Sequence, residues 1–224
     1  MKIDYKWTVS EQGYQPILIS FLVCWLGTAF FGLSIVSLLL LIIFLLIIHF
    51  FRDPERIIPK TDGIISPADG KVISVDSVEE NEFTKFKMKR ICIFLSLLDC
   101  HIARNPVSSK VIETRYYPGK FKFANSPECI ENERLYMHLK LDNDSDVVLI
   151  LFAGYVARRI VPFVSKGSVL DIGERIGIIK FGSRIDIYVP DDYATEIKPG
   201  DEVVAGETVL FDKKNKEIFL EEVK

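Results

Sequence analysis

From Pro16 to Phe51 the chain carries not one Asp, Glu, Lys or Arg, and a stretch that long and apolar belongs in a membrane. One straight helix of that length would span about 54 Å at roughly 1.5 Å per residue, against a hydrocarbon core of about 30 Å. A single span therefore does not fit. Gly27-Thr28 and Gly32 divide the run into Pro16 to Leu26 and Leu33 to Phe51, which predicts a helical hairpin with a short, re-entrant first arm and one full-length second helix. The hairpin leaves Lys2 and Lys6 on the same side as Arg52, Arg56 and Lys60, and the positive-inside rule makes that side cytoplasmic. A cleaved signal peptide fits less well, because Asp4 and Glu11 sit in its would-be basic region and the apolar run is too long.

After Phe51 the composition changes abruptly to Arg52-Asp53-Pro54-Glu55-Arg56, and Pro54 and Pro59 stop the helix. This divides the chain into an anchoring segment, 1–51, and a domain, 52–224. In the anchor Lys2 and Lys6 balance Asp4 and Glu11, so the formal charge of −3 falls entirely on the domain, and nothing points to nucleic acid. Cys24, Cys92, Cys100 and Cys129 show no Cys-x-x-Cys spacing, which argues against a zinc site or a disulfide framework; reduced thiols suit a cytoplasmic face.

The domain reads as short strands punctuated by Gly, Pro and Asp. They are Gly63 to Ser66, Lys71 to Val75, Ile91 to Ser96, Val107 to Tyr117, Leu135 to Leu141, Val147 to Ala153, Ile160 to Val164, Ile176 to Lys180, Ile185 to Val189, Val203 to Val204 and Thr208 to Phe211. Within it Gly167-Ser-Val-Leu-Asp-Ile-Gly173-Glu174 is echoed further along by Gly200-Asp-Glu-Val-Val-Ala-Gly206-Glu207. The fold expected is mainly β, a barrel-sandwich-hybrid-like domain with quasi-repeated units.

Four segments carry chemistry. Gly182-Ser183 sits between β-branched runs, where an unhindered carbonyl lies beside a hydroxyl nucleophile, the pairing a self-cleaving serine needs. Ser66-Pro67-Ala68-Asp69-Gly70 places an acid in a tight turn. Asp99-Cys100-His101-Ile102-Ala103-Arg104-Asn105 follows an apolar strand and offers an imidazole and a guanidinium. A Gly loop with Lys120 and Phe121, followed by Asn132 and Glu133, has the makings of a phosphate cradle. His138 alternates with apolar neighbours and reads as structural.

Phe50 to Arg56, Ser66 to Val72, Asp99-Cys100-His101, Pro118-Gly119 through Arg134, and Gly173 to Arg184 together resemble the short, bacterial or archaeal form of phosphatidylserine decarboxylase, with the motifs in order up to Pro190. The resemblance implies a proenzyme that cleaves itself between Gly182 and Ser183 into a β chain, 1–182, and an α chain, 183–224, which stay together as a heterodimer. It implies that Ser183 becomes a covalent pyruvoyl cofactor, that this ketone forms a Schiff base with the serine headgroup, and that carbon dioxide leaves to give phosphatidylethanolamine. Ser183, Gly182, His101 and Asp69 are then the catalytic set. Arg104, Lys120, Phe121, Asn132 and Glu133 are the candidate substrate-binding residues, and no metal is expected.

Long-form members have two histidines three apart in the strand-end segment, with the second in an Asp-His-Ser triad; here His101 holds the first place and Arg104 the second. Either His101 serves both maturation and decarboxylation, or Arg104 and Asp69 alter the scheme. The expected partners are a phospholipid, the cell membrane on its cytoplasmic side and, compatibly, further copies of the chain. Two other readings stay open on the sequence: a decarboxylase of another serine-headgroup lipid, archaetidylserine-like, and a non-catalytic membrane-tethered interaction module in which Ser183 is an ordinary strand residue.

Overall fold

The computed structural model describes residues 7–120, 122, 127–154, 159–180 and 183–213. Contacts divide the chain into two units, Met1–Glu55 with Leu97–Cys100, and Arg56–Ser96 with His101–Lys224.

The first unit holds β1 (Trp7–Val9), α1 (Tyr14–Phe31), α2 (Ile35–Phe50) and β2 (Arg52–Pro54), with β1 and β2 paired antiparallel. The two helices form a hairpin, and they expose Leu, Ile and Phe on most sides, as suits lipid rather than water. The arms differ from the expected division. Gly27 and Thr28 lie inside α1, and the chain turns at Gly32, whose φ of 64° ends the helix. Gly27 serves the packing of the helices instead: a Cβ there would lie 2.3 Å from Leu40 Cδ1. Thr28 Oγ1 donates to the Cys24 carbonyl at 2.8 Å, which satisfies its polar group within the helix. The first arm is thus the longer, with 21 residues from Glu11 to Phe31 that are long and apolar enough to cross a membrane, while α2 has 16.

The second unit is mainly β, with a 3-10 turn at Pro127–Glu131 among its described residues. Its strands are β3 (Ile64–Ile65), β4 (Gly70–Glu79), β5 (Lys87–Leu95), β6 (Ile102–Arg104), β7 (Ser109–Tyr117), β8 (Arg134–Leu141), β9 (Asp146–Phe152), β10 (Arg159–Pro162), β11 (Val169–Leu170), β12 (Arg175–Lys180), β13 (Ser183–Val189), β14 (Tyr193–Ala194), β15 (Glu202–Val203) and β16 (Val209–Lys213). Every expected strand has a counterpart, though β4 runs on to Glu79, and β6, β11 and β14, at two or three residues each, are too short to leave a sequence signal. An eight-stranded sheet in the order β11-β7-β8-β9-β13-β5-β4-β15 puts β13 between two full-length neighbours. Alternation turns Ser183, Ile185 and Ile187 toward the main core, with Ile93, Leu95, Leu149 and Leu151, and turns Arg184, Asp186 and Tyr188 to the opposite face.

The quasi-repeat extends further than the glycine echo. Gly167, Gly173, Gly200 and Gly206 all adopt positive φ, at 92°, 80°, 107° and 80°. The short strands inside the two copies, β11 and β15, pair with β7 and β4, while β12 and β16 pair with β6 and β3. Val72 N donates to Asp201 O at 2.9 Å and its carbonyl accepts from Gly200 N at 2.8 Å; Val111 repeats both bonds with Ser168 and Gly167 at the same lengths. Both hairpins bulge at this point, between Val72 and Ser74 and between Val111 and Glu113. Pro67, Lys71, Val72 and Ile73 are therefore matched in the second half by Pro106, Lys110, Val111 and Ile112, at one constant offset. Reciprocal bonds of 2.9 Å, Arg104 N to Pro67 O and Ile65 N to Pro106 O, join the halves.

Gly70 marks one point where the halves differ, since Ser109 stands in its place in the second half. Its φ is 144°, and a Cβ would lie 2.2 Å from the Phe94 carbonyl oxygen, a backbone atom that cannot step aside. Gly70→Ala is expected to destabilise the folded chain by at least about 2 kcal/mol, read as a lowered unfolding midpoint in detergent.

Candidate active site

Two connectors join the same strand pairs. β5 pairs with β13 and β6 with β12, so residues 96–101 and residues 181–182 both bridge from one ladder to the other. Ser183 lies opposite Leu95, and the His101 carbonyl accepts from Ile179 N at 3.2 Å. Ile179 and Ser183 are joined by a stretch of chain that reaches at most about 13 Å, so His101 and Ser183 flank one junction. Both are buried, at 1% and 0% exposure. Gly182 lies outside the described residues.

The Ser183 Oγ has no hydrogen-bond partner among the described residues. A buried hydroxyl left unsatisfied costs about 1–3 kcal/mol, and such groups persist where they have a use other than stability. A small nucleophile enclosed by core residues at a strand end fits a group made from serine itself. It needs no cavity for a separate cofactor.

Register carries other candidates to the same end of the sheet. Arg134 pairs with Phe152 and Phe152 with Arg184; one step on, Glu133, Ala153, Ser183, Leu95 and Gly70 form a row across β8, β9, β13, β5 and β4. Ala153 N donates to the Glu133 carbonyl at 2.9 Å. Gly70 thus lies two strand spacings, about 10 Å, from Ser183, and Asp69 is the residue before it.

Asp69 is held by two groups. Arg56 Nη2 donates to both its carboxylate oxygens at 3.0 and 2.7 Å, and Ala205 N donates to Oδ1 at 2.8 Å. The second contact recurs in the other half, where Ile172 N donates to Ser108 Oγ at 3.3 Å. The amide tie therefore belongs to the repeated architecture, and the ion pair with Arg56 is what sets Asp69 apart. Arg104 serves the same turns from beneath: Nη1 donates to the Gly173 carbonyl at 2.9 Å, and a Cβ on Gly206 would lie 3.2 Å from its Cδ. The residue in the place of the second histidine thus ties the two glycine turns.

The remaining candidates organise a loop. Asn132, fully buried, accepts from Lys122 N at 2.7 Å and donates to the carbonyls of Lys122 and Ala153 at 2.8 and 2.7 Å. Glu133 Oε1 accepts from Ile160 N at 2.9 Å. Lys120 is exposed and pairs with Glu131 at 2.9 Å. Phe121 lies outside the described residues. His138, read as structural, sits 2.8 Å from Asp146 and stacks on Phe83.

Two arginines escaped sequence reasoning. Arg56 lies in a charged run with nothing to show that it pairs with an acid 13 positions on. Arg184, beside Ser183 but on the opposite face, is held by Asp186 at 2.6 and 2.7 Å and approached by the Cys129 and Cys92 sulfurs, each at 3.1 Å. Burial, reinforced by Asp186, pushes the Cys92 thiol up to about 12, so it stays protonated at neutral pH. Lys180, the last residue of β12, is shifted the other way: burial and then Arg159 lower its pKa.

Removing the Asp69 carboxylate alone takes two charge-assisted hydrogen bonds from a mostly buried guanidinium, with Arg56 at 11% side-chain exposure. Asp69→Ser, which keeps an acceptor for Ala205 N as Ser108 does for Ile172 N, is expected to cost about 2–4 kcal/mol. Adding Arg56→Leu should restore most of that loss, and denaturant unfolding of the two single variants and the double variant measures the coupling.

Comparison with known proteins identifies the family. The family model described as phosphatidylserine decarboxylase matches residues 43–211. A relative from Ehrlichia chaffeensis is 39% identical over 215 residues, covering 94% of this chain and 93% of its own. One from Symbiobacterium thermophilum is 45% identical over 168 residues, covering 74% and 78%. One from Nitrosomonas eutropha is 36% identical over 204 residues, covering 90% and 94%. All three bear the name phosphatidylserine decarboxylase proenzyme. With most of its length matched by the family model and relatives aligned nearly end to end, the chain belongs to the phosphatidylserine decarboxylase family.

Proposed function

We propose that this chain is a self-processing, pyruvoyl-dependent decarboxylase that converts phosphatidylserine to phosphatidylethanolamine, anchored by residues 1–51 with its domain, 52–224, at the cytoplasmic face. The observation that carries the reading is the enclosed Ser183 hydroxyl, without a partner among the described residues, at a junction flanked by His101. The names of the relatives support the headgroup, and Arg52, Arg56 and Lys60 after α2 support the side of the membrane.

In maturation His101 takes the Oγ proton, Oγ attacks the Gly182 carbonyl carbon, and the carbon–nitrogen bond breaks as the proton passes to the departing nitrogen. Loss of the Cα proton of residue 183 then expels the Gly182 carboxylate, and water displaces ammonia, leaving a ketone at the head of the α chain. That ketone supplies the electron sink for an amine-bearing substrate that loses its carboxylate as carbon dioxide. His101 serves both stages, while Arg104 Nη1 donates to the Gly173 carbonyl. Asp69, fixed by Arg56 and the Ala205 amide, is the acid of the set. Paired β13 and β5 hold residue 183 in register after the cut, so the two chains remain a heterodimer. Lys120, exposed beside Glu131, is the cation for the lipid phosphate, while Asn132 and Glu133 shape the loop that carries it.

Mass analysis of the purified chain should find two fragments, 1–182 and 183–224, the second lacking an amino terminus; Ser183→Ala should stay whole. An uncut wild-type chain after incubation with phosphatidylserine membranes overturns the reading. His101→Ala is expected to slow cleavage by at least about 100-fold. Normal cleavage and turnover in that variant would remove His101 from the mechanism.

A further inference from the structure

Leu97 and Leu98 form an exposed apolar tip, 51% and 63% accessible, in a stretch that is built rather than loose. The Leu98 carbonyl accepts from Arg52 Nη2 at 2.7 Å and lies 3.1 Å from His49 Nε2. Arg52 Nη1 donates to the His49 carbonyl at 2.9 Å, and the buried Cys100 donates its thiol hydrogen to the Arg52 carbonyl at 3.4 Å. The chain is therefore fastened to the end of α2 both at the tip and just after it.

His49 lies in the last turn of α2, so the clamp sets the two leucines level with the C-terminal end of an apolar helix. In a bilayer, that is the depth at which hydrocarbon gives way to headgroups, where leucine is favoured and an arginine beside it meets lipid phosphate. Single exposed leucines on a soluble surface mean little. A pair bolted to the end of an apolar helix has one fitting occupant, the lipid itself.

We propose that Leu97-Leu98 is a membrane-inserting loop that dips into the interfacial layer and, through the chain, sets the depth at which the site meets its substrate. Only residues 96–100 separate Leu95, the partner of Ser183, from His101. The role in substrate delivery rests on the decarboxylase reading; insertion of the loop does not.

Two measurements on the full chain test this. With Trp7 and Trp25 changed to Phe, a Leu98→Trp probe in phosphatidylcholine–phosphatidylserine vesicles should be quenched at least about twofold by brominated acyl chains. Emission that ignores the bromolipids overturns the insertion. Leu97→Asp/Leu98→Asp should cleave normally, lose about tenfold in turnover of phosphatidylserine in vesicles, and keep full turnover of a short-chain, monomerically dispersed phosphatidylserine. Unchanged turnover on vesicles, or equal loss on both substrates, overturns the delivery role. If the wild-type chain turns over neither substrate, the decarboxylase reading falls instead, and the quenching result still decides whether the loop inserts.

Discussion

Backbone pairing of β13 on both flanks is the constraint on which the site depends. Ser183 opens a strand held against β5 on one side and β9 on the other, so its position is set by ladders that extend through Val189 and Tyr188. Side-chain alternation then does the rest. It turns the hydroxyl inward among core aliphatics and sends Arg184 outward to Asp186, Cys92 and Cys129.

Around that strand, duplication supplies a scaffold and departures from it supply chemistry. The Val72 and Val111 bonds, the paired bulges and the four glycines with positive φ repeat with little change. At one repeated position an amide meets Ser108 in one half and Asp69 in the other. The carboxylate there keeps the amide bond and draws in Arg56, which adds a charge pair. Arg104 belongs with the scaffold, because its guanidinium closes a glycine turn on the Gly173 carbonyl.

The anchor shows how local reading and packing divide the work. The absence of charge from Pro16 to Phe51 makes apolar helices the available solution, since a backbone in hydrocarbon must satisfy its own hydrogen bonds. Which glycine turns the chain is a different question. Gly27 and Gly32 are alike in sequence, but Gly27 sits inside α1 against the Leu40 side chain, whereas Gly32 adopts the positive φ that ends the helix. The arm expected to be short is consequently the longer one.

Much of the fold was legible because its signals are local: β-branched runs bounded by Gly and Pro, and the echo of Gly167 and Gly173 in Gly200 and Gly206. The second echo, of Pro67 to Ile73 in Pro106 to Ile112, rests on Pro, Lys, Val and Ile, residues too common to stand out until their hydrogen bonds superimpose. For the proposed site, the sequence alone sets a glycine carbonyl beside a serine hydroxyl, because Gly182 and Ser183 are covalent neighbours. Tertiary structure decided what the candidate groups touch: that Asp69 answers to Arg56, that Arg104 turns to a carbonyl, and that His101 and Ser183 flank one junction. Such contacts depend on strand register between segments far apart in the chain, and register is set by the packing of the whole sheet.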